Sequence, residues 1–216
     1  SFSRDGFHWD RPYRDAFIPA TRVPGSWDRG YVQSVGGICT VVGDQLRFYY
    51  IGFKGGDSSS YMHSNGATGM ATLRRDGFAS MSTTGEGSLT THPVKFSGKY
   101  MFVNVNCPAG ELKVEILDKN NKVIDGFSAD KCKAVTIDST IQQVEWNGAS
   151  DLSSLAGQEV RFRFKLKNGD LYAFWVSPST NGESNGYVAG GGPGYTSNKD
   201  TEGKKAYEKA SGFQKF

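Results

Sequence analysis

The stretch Val160-Arg-Phe-Arg-Phe-Lys-Leu-Lys167 alternates apolar and basic residues at every position. A period of two belongs to a β-strand with one face buried; on a helix these side chains would scatter around the axis. The pattern predicts Val160, Phe162, Phe164 and Leu166 in a core, with Arg161, Arg163, Lys165 and Lys167 forming a basic row on the opposite face. Leu112-Lys-Val-Glu-Ile116 repeats the alternation with Lys113 and Glu115 outward. A solvated face paired with Glu115 or Glu145 is one use for the basic row, and binding of an anionic glycan is the other.

From residue 87 the spacing of apolar runs and turn residues is regular. It predicts strands at Leu89–Phe96 and Tyr100–Asn106 about Ser97-Gly98, and at Glu111–Asp118 and Lys122–Gly126 about the turn Lys119-Asn-Asn121. Further strands are expected at Lys133–Asp138, Thr140–Trp146, Glu159–Lys167 and Leu171–Val176, the last two joined by a turn at Asn168-Gly169-Asp170. Asp151–Gly157 reads as a crossover with one helical turn. Trp146 and Trp175 lie in alternating strands and are expected in the core. The fold class that follows is all-β, with an antiparallel, jelly-roll-like β-sandwich of roughly eight strands over 83–178.

The segment 1–68 has a different character. Ser3-Arg-Asp-Gly-Phe-His-Trp9 predicts a tight turn at Asp5-Gly6 with Trp9 plugged between strands. Gly43-Asp44 predicts a turn between a strand at Gly37–Val42 and its partner at Leu46–Gly52. The Gly/Ser/Asn-rich stretch from Lys54 to Ala67 is either a binding loop or disordered. Gly69–Leu73 and Phe78–Met81 flank Arg75-Asp76-Gly77 and predict a hairpin over 69–82 that joins the two parts, with the glycine taking the positive φ. After Ser177 the chain is rich in Gly, Ser, Asn and Pro, which predicts a tail over 179–216 either laid over the surface or mobile. A short helix is expected at Thr201–Ser211, with Glu202 facing Lys205 and Lys209.

Composition narrows the function classes. A net charge of +3 with mixed signs gives no nucleic-acid footprint. No apolar run is long enough for a membrane span, and the first residues carry no signal-peptide pattern. Ser1 opens directly on structured-looking sequence, which suggests a fragment or a processed product. Three cysteines are too few for a disulfide framework and too scattered for a zinc site. Cys107 and Cys132 follow neighbouring strands, so a bridge between them is open to an exported chain; Cys39 lies in an apolar run and is expected as a buried thiol. No nucleophile elbow, metal spacing or paired-carboxylate motif stands out, and no cofactor is expected.

Two resemblances rest on particular residues. Ser3–Trp9 resembles the Ser-x-Asp-x-Gly-x-x-Trp turn of sialidase-like propellers, one residue shorter, although an ordinary aromatic-capped hairpin explains the same residues. The ordered series Ser3–Pro12, Gly25–Asp28, Gly43–Tyr50, Gly69–Phe78, Gly110–Asp118, Asp151–Phe164 and Leu171–Trp175 is similar to the C-terminal portion of bacterial proteins related to glycoside hydrolase family 32, with family 43 more distant. The resemblance runs to about residue 195. It implies a terminal propeller-blade-like β-meander over 1–68, an accessory sandwich after it, an exported (secreted or periplasmic) parent, and a poly- or oligosaccharide as partner. The catalytic carboxylates of such proteins come mainly from earlier blades, so no catalytic residue carries over, and a missing N-terminal propeller or a partner chain is expected to complete the blade.

Sugar recognition sets flat aromatic faces against C–H surfaces and adds polar side chains. Trp27 with Asp28, and Asp57, Tyr61 and His63 in the Gly-rich loop, have that composition and are the candidate carbohydrate-binding residues. No metal ligand is expected. A non-catalytic carbohydrate-binding or assembly module is the alternative to the glycoside-hydrolase-like reading.

Overall fold

The computed structural model describes residues 1, 3, 5–34, 38–56 and 62–213. The chain is mostly β, with two antiparallel sheets in a sandwich-like fold. Its strands are β1 (Tyr31–Ser34), β2 (Thr40–Val42), β3 (Gln45–Phe53), β4 (Gly66–Arg74), β5 (Met81–Thr90), β6 (Tyr100–Asn106), β7 (Glu111–Leu117), β8 (Asp138–Val144) and β9 (Arg161–Ser177), followed by helix α1 (Lys204–Ala210). A single 3-10 turn at Ser153–Leu155 occupies the expected crossover. The chain divides into two compact units, one of Ser1–Ile38 with Phe48–Ala71 and one of Cys39–Arg47 with Thr72–Phe216.

In the first unit, β1 runs antiparallel to the end of β3, Tyr31 opposite Phe53 and Ser34 opposite Tyr50. Trp27 packs against Tyr50, ring centroids 5.7 Å apart. Two glycines make room for it. A Cβ at Gly52 would lie 2.4 Å from the Trp27 ring, and one at Gly69 would lie 2.6 Å from both Trp27 and Tyr50. Ser3–Trp9 forms its turn: Gly6 takes φ +78°, and Asp5 Oδ1 accepts the N–H groups of Phe7 and His8 at 2.8 Å each. Trp9 does not plug between strands. It donates Nε1–H to the Gly6 carbonyl and stays 64% exposed, because its hydrogen bond is satisfied within its own turn.

In the second unit, β2 pairs with the start of β3 through a turn at Gly43, φ +60°. The larger sheet is built on β9. Its first part lies between β5 and β7, with Glu86 and Glu111 both opposite Lys167. Its second part pairs with β6, which in turn pairs with β8. The alternation read in the sequence is found: Val160, Phe162 and Phe164 are each 1% exposed and Leu166 is 8%. They join Met101, Val103, Val105, Leu112, Val114, Ile116 and Trp146 in one core.

Three expectations about turns are corrected. Asn168-Gly169-Asp170 is not a turn; Asn168 takes φ +45°, yet β9 continues through it. Non-local partners prevail there, Gly169 opposing Thr83 and Asp170 opposing Asn106. Gly169 is required for close approach, since a Cβ would fall 2.6 Å from the Asn106 carbonyl. Residues 69–82 are not a hairpin: β4 pairs with β3 and β5 with β9. The positive φ falls on Asp76, at +52°, and not on Gly77.

Cys107 and Cys132 are free, buried thiols and do not form the expected bridge. The Cys107 thiol donates to the Val135 carbonyl, while Cys132 Sγ accepts the Val114 N–H. Cys39 is half-buried.

The tail takes one of its two expected forms and is laid over the surface. Phe102, Asn104 and Trp175 face away from the main core, yet Phe102 and Asn104 are buried. Residues of the 178–213 segment lie against Phe102 and Trp175, while Asn104 accepts from Arg74 and donates to the Arg75 carbonyl. Trp175 stacks on Phe102 and donates to the Gly182 carbonyl, and the Lys204 ammonium lies 5.2 Å from the Phe102 ring centroid. A short sequence lacking apolar runs is ordered here through polar contacts. Asp200 is 1% exposed. It accepts from Arg75 Nη2 at 2.7 Å and from the Gly203 N–H at 2.8 Å. The rings of Tyr195 and Tyr207 lie 5.6 and 5.3 Å from the same guanidinium, and Tyr207 shares a hydrogen bond with Thr140 of β8.

Candidate functional site

The first candidate site lies in the first unit and is aromatic. Tyr31 begins β1 and Phe53 ends β3, so antiparallel pairing places them opposite each other, ring centroids 6.1 Å apart. His63 presents its ring edge-on to both, at 5.1 Å from Tyr31 and 5.3 Å from Phe53. His63 is exposed and Tyr31 is 36% exposed. The loop after Phe53 is closed by Gly55 N–H donating to the Ser64 carbonyl and by Asn65 Nδ2 donating to the Gly55 carbonyl. The result is a small shelf of three rings whose outer surfaces meet solvent. It suits the C–H face of a sugar or another flat, weakly polar ligand.

Of the residues singled out in the sequence, His63 lies on this shelf. Trp27 sits apart from it, packed across Gly52 and Gly69 with 39% of its surface exposed. Asp28 is 3% exposed and accepts the hydroxyls of Thr21 and Ser26, each at 2.6 Å. Those hydroxyls, Ser26 first, hold its carboxyl below the usual carboxylate range. It ties the 21–28 loop together. Asp57 and Tyr61 lie outside the described residues.

The second candidate site is polar and lies on the outer face of the second unit, where β5, β9 and β7 run side by side. An open groove of about 480 Å³ is lined there by Glu86, Ser88, Glu111, Lys113, Lys165 and Lys167. Register sets the charges in three rows across the strands. Glu86, Lys167 and Glu111 form one row, Ser88, Lys165 and Lys113 the next, and Thr90, Arg163 and Glu115 the third. The tightest pair is Arg163 with the buried Glu115 at 2.8 Å. The lysines make looser contacts: Lys165 to Glu115 at 3.4 Å, Lys113 to Glu111 and Lys167 to Glu86 at 3.8 Å. Arg161 instead donates to the Thr91 carbonyl. Glu145, the other expected partner, pairs with Lys133.

Sequence reasoning passed over Tyr31, Phe53, Glu86 and Glu111 as site residues. The alternation on Leu112–Ile116 gave the outward direction of Lys113 and Glu115, but which residue each would meet depended on long-range register. Among the described residues, no group of three or more His, Cys, Asp or Glu side chains is placed to hold a metal ion. Among the described residues, no helix is long and apolar enough to cross a membrane. Comparison with known proteins found no matching family model, no matching curated protein and no matching solved structure.

Proposed function

We propose that the protein is the carbohydrate-binding C-terminal portion of an exported, glycoside-hydrolase-like protein, related to families 32 and 43, with the sandwich in an accessory role. The observation that carries this reading is the shelf of Tyr31 and Phe53, on paired strands, and His63, on the loop that follows, which together present exposed ring surface. The resemblance in motif order supports it. Hydrolysis needs two carboxyl groups at a set separation. Asp28, the carboxylate nearest in sequence to the shelf's Tyr31, is engaged by two hydroxyls, so this chain alone is assigned binding without turnover.

Affinity electrophoresis in gels containing neutral polysaccharides tests the reading. The chain should be retarded by at least one of a panel of fructans, arabinans and galactans. Tyr31→Ala and His63→Ala should each weaken retardation severalfold while the melting temperature holds. Mobility unchanged across the panel would defeat the reading, as would turnover of any panel member that is lost in Asp28→Asn.

A second reading, an assembly module, draws on a different observation. Phe7, Trp9, Tyr13 and Phe17 are 62–87% exposed, more aromatic surface in one short segment than isolated exposed side chains explain. Under that reading the first unit is a blade-like sheet completed by a partner chain or by a preceding propeller.

A further inference from the structure

The structure assigns a second ligand to the outer face of the sandwich: we infer that the groove over β5, β9 and β7 binds an acidic saccharide, with the carboxylate of a uronic acid seated between Lys113 and Lys165. The inference rests on the carbohydrate-binding reading for its ligand class, but on separate residues for its site.

Lys113 and Lys165 are directly opposed on neighbouring strands. Like charges in that position repel and are destabilising unless something lies between them. The position beyond Lys165 in the same row is Ser88, which brings no charge. The carboxylates nearby do not cancel the row. Glu115 is already taken by Arg163 at 2.8 Å, and Lys165 shares it at 3.4 Å. Glu111 reaches Lys113, and Glu86 reaches Lys167, only at 3.8 Å, longer than a charge-assisted hydrogen bond of about 2.8 Å. Four cations, Lys113, Arg163, Lys165 and Lys167, stand against three carboxylates, so the face carries one positive charge in excess.

The groove also has the size and the remaining chemistry for a sugar. At about 480 Å³ it falls in the range of small-ligand sites. Around the two ammonium groups stand Ser88, Glu86 and Glu111, which can donate to and accept from ring hydroxyls. A carboxylate bridging the two lysines would relieve their repulsion, and the row of acceptors on either side would orient the ring. The interior face beneath is fully packed, with Leu112, Val114 and Phe164 at most 1% exposed, so the strands hold these side chains on a rigid platform.

The test measures binding of the full chain to three polymers at low and moderate salt: polygalacturonate, its fully methyl-esterified form, and polyglutamate. Polygalacturonate should bind, more weakly as salt rises, and the ester should not. Lys113→Gln and Lys165→Gln should each weaken polygalacturonate binding about tenfold, the low end of what losing a hydrogen bond to a charged group costs. Lys133→Gln, paired with Glu145 elsewhere, should leave it unchanged, with circular dichroism and melting temperature confirming the fold of each variant. No binding of polygalacturonate at low salt overturns the inference. So does equal binding by Lys113→Gln and Lys165→Gln, and equal affinity for polyglutamate rules out a saccharide site. Binding lost instead in Tyr31→Ala would move the ligand to the aromatic shelf and overturn the groove while leaving the proposed function standing. Polygalacturonate binding in a chain that ignores every neutral polysaccharide would do the reverse.

Discussion

Removing the Asp200 carboxylate should unfold much of what the tail accomplishes. Asp200→Ala deletes four acceptor contacts: to Arg75 Nη2 at 2.7 Å, the Gly203 N–H at 2.8 Å, the Glu202 N–H at 3.2 Å and the Ser184 hydroxyl at 3.3 Å. It leaves a guanidinium whose side chain is only 9% exposed with the exposed Asp76, 3.7 Å from Nε, as its remaining carboxylate, and its Nη1 has no hydrogen-bond partner even in the native structure. Breaking a buried pair from one side costs about 3–5 kcal/mol, because the remaining charge stays out of water. Asp200→Ala and Arg75→Met should each fall in that range by urea unfolding. The double variant should be far less destabilised than their sum, since no buried charge is left behind. Chymotrypsin should then cut Asp200→Ala at Tyr195, whose hydroxyl is buried in the segment the pair pins down, faster than it cuts the wild type there. Losses under about 1 kcal/mol for both single variants, the size of an exposed pair, would refute the idea that this ion pair is shielded and holds the tail. Strict additivity in the double variant would refute it too.

Two further predictions follow from burial. Phe162→Ala and Phe164→Ala each open a cavity in the core from side chains that are 1% exposed, and each should cost about 3–5 kcal/mol by urea unfolding; an unchanged melting temperature in both would show that the facing assignment is wrong. Burial pushes the Tyr207 hydroxyl above its ordinary value, so the fold prefers its neutral form and the associated stability is fully present below pH about 10. That contribution should be lost as pH rises through the folded value, so the stability difference between the wild type and Tyr207→Phe should shift against the wild type above pH about 10; a constant difference would contradict the burial of that hydroxyl.

The strands with a strict period of two were legible without any structure. In Val160–Lys167 and Leu112–Ile116 each residue's neighbours in sequence already decide which face it takes. What escaped the sequence was set by residues far away along the chain. Asn168-Gly169-Asp170 has the composition of a hairpin turn, and only the presence of Thr83 and Asn106 beside it keeps it extended. The tail has no apolar periodicity to announce its order, because it is held by Asp200, Asn181 and backbone carbonyls around Phe102 and Trp175. In the candidate sites the same division holds. His63 was visible as a polar aromatic in a Gly-rich loop, whereas its neighbours Tyr31 and Phe53 depended on strand register. The facing of Lys113 to Lys165 could not be read until β7 and β9 were known to be adjacent.

Strand β9 serves β5, β7 and β6 at once, and it is synthesised after all of them. On the ribosome β6 and β8 can pair once both have emerged, but β5, β7 and the other edge of β6 stay open with no template to join. Joining β5, β7 and the β6–β8 pair into one sheet has to wait for β9, so completion of the larger sheet is a late event dominated by long loop closures. Until then its Val- and Phe-rich strands are exposed to pairing with other chains. Translation stalled or terminated before residue 161 would leave a product with no means of burying that surface, and the chain's vulnerability to aggregation would be concentrated in that interval of its synthesis.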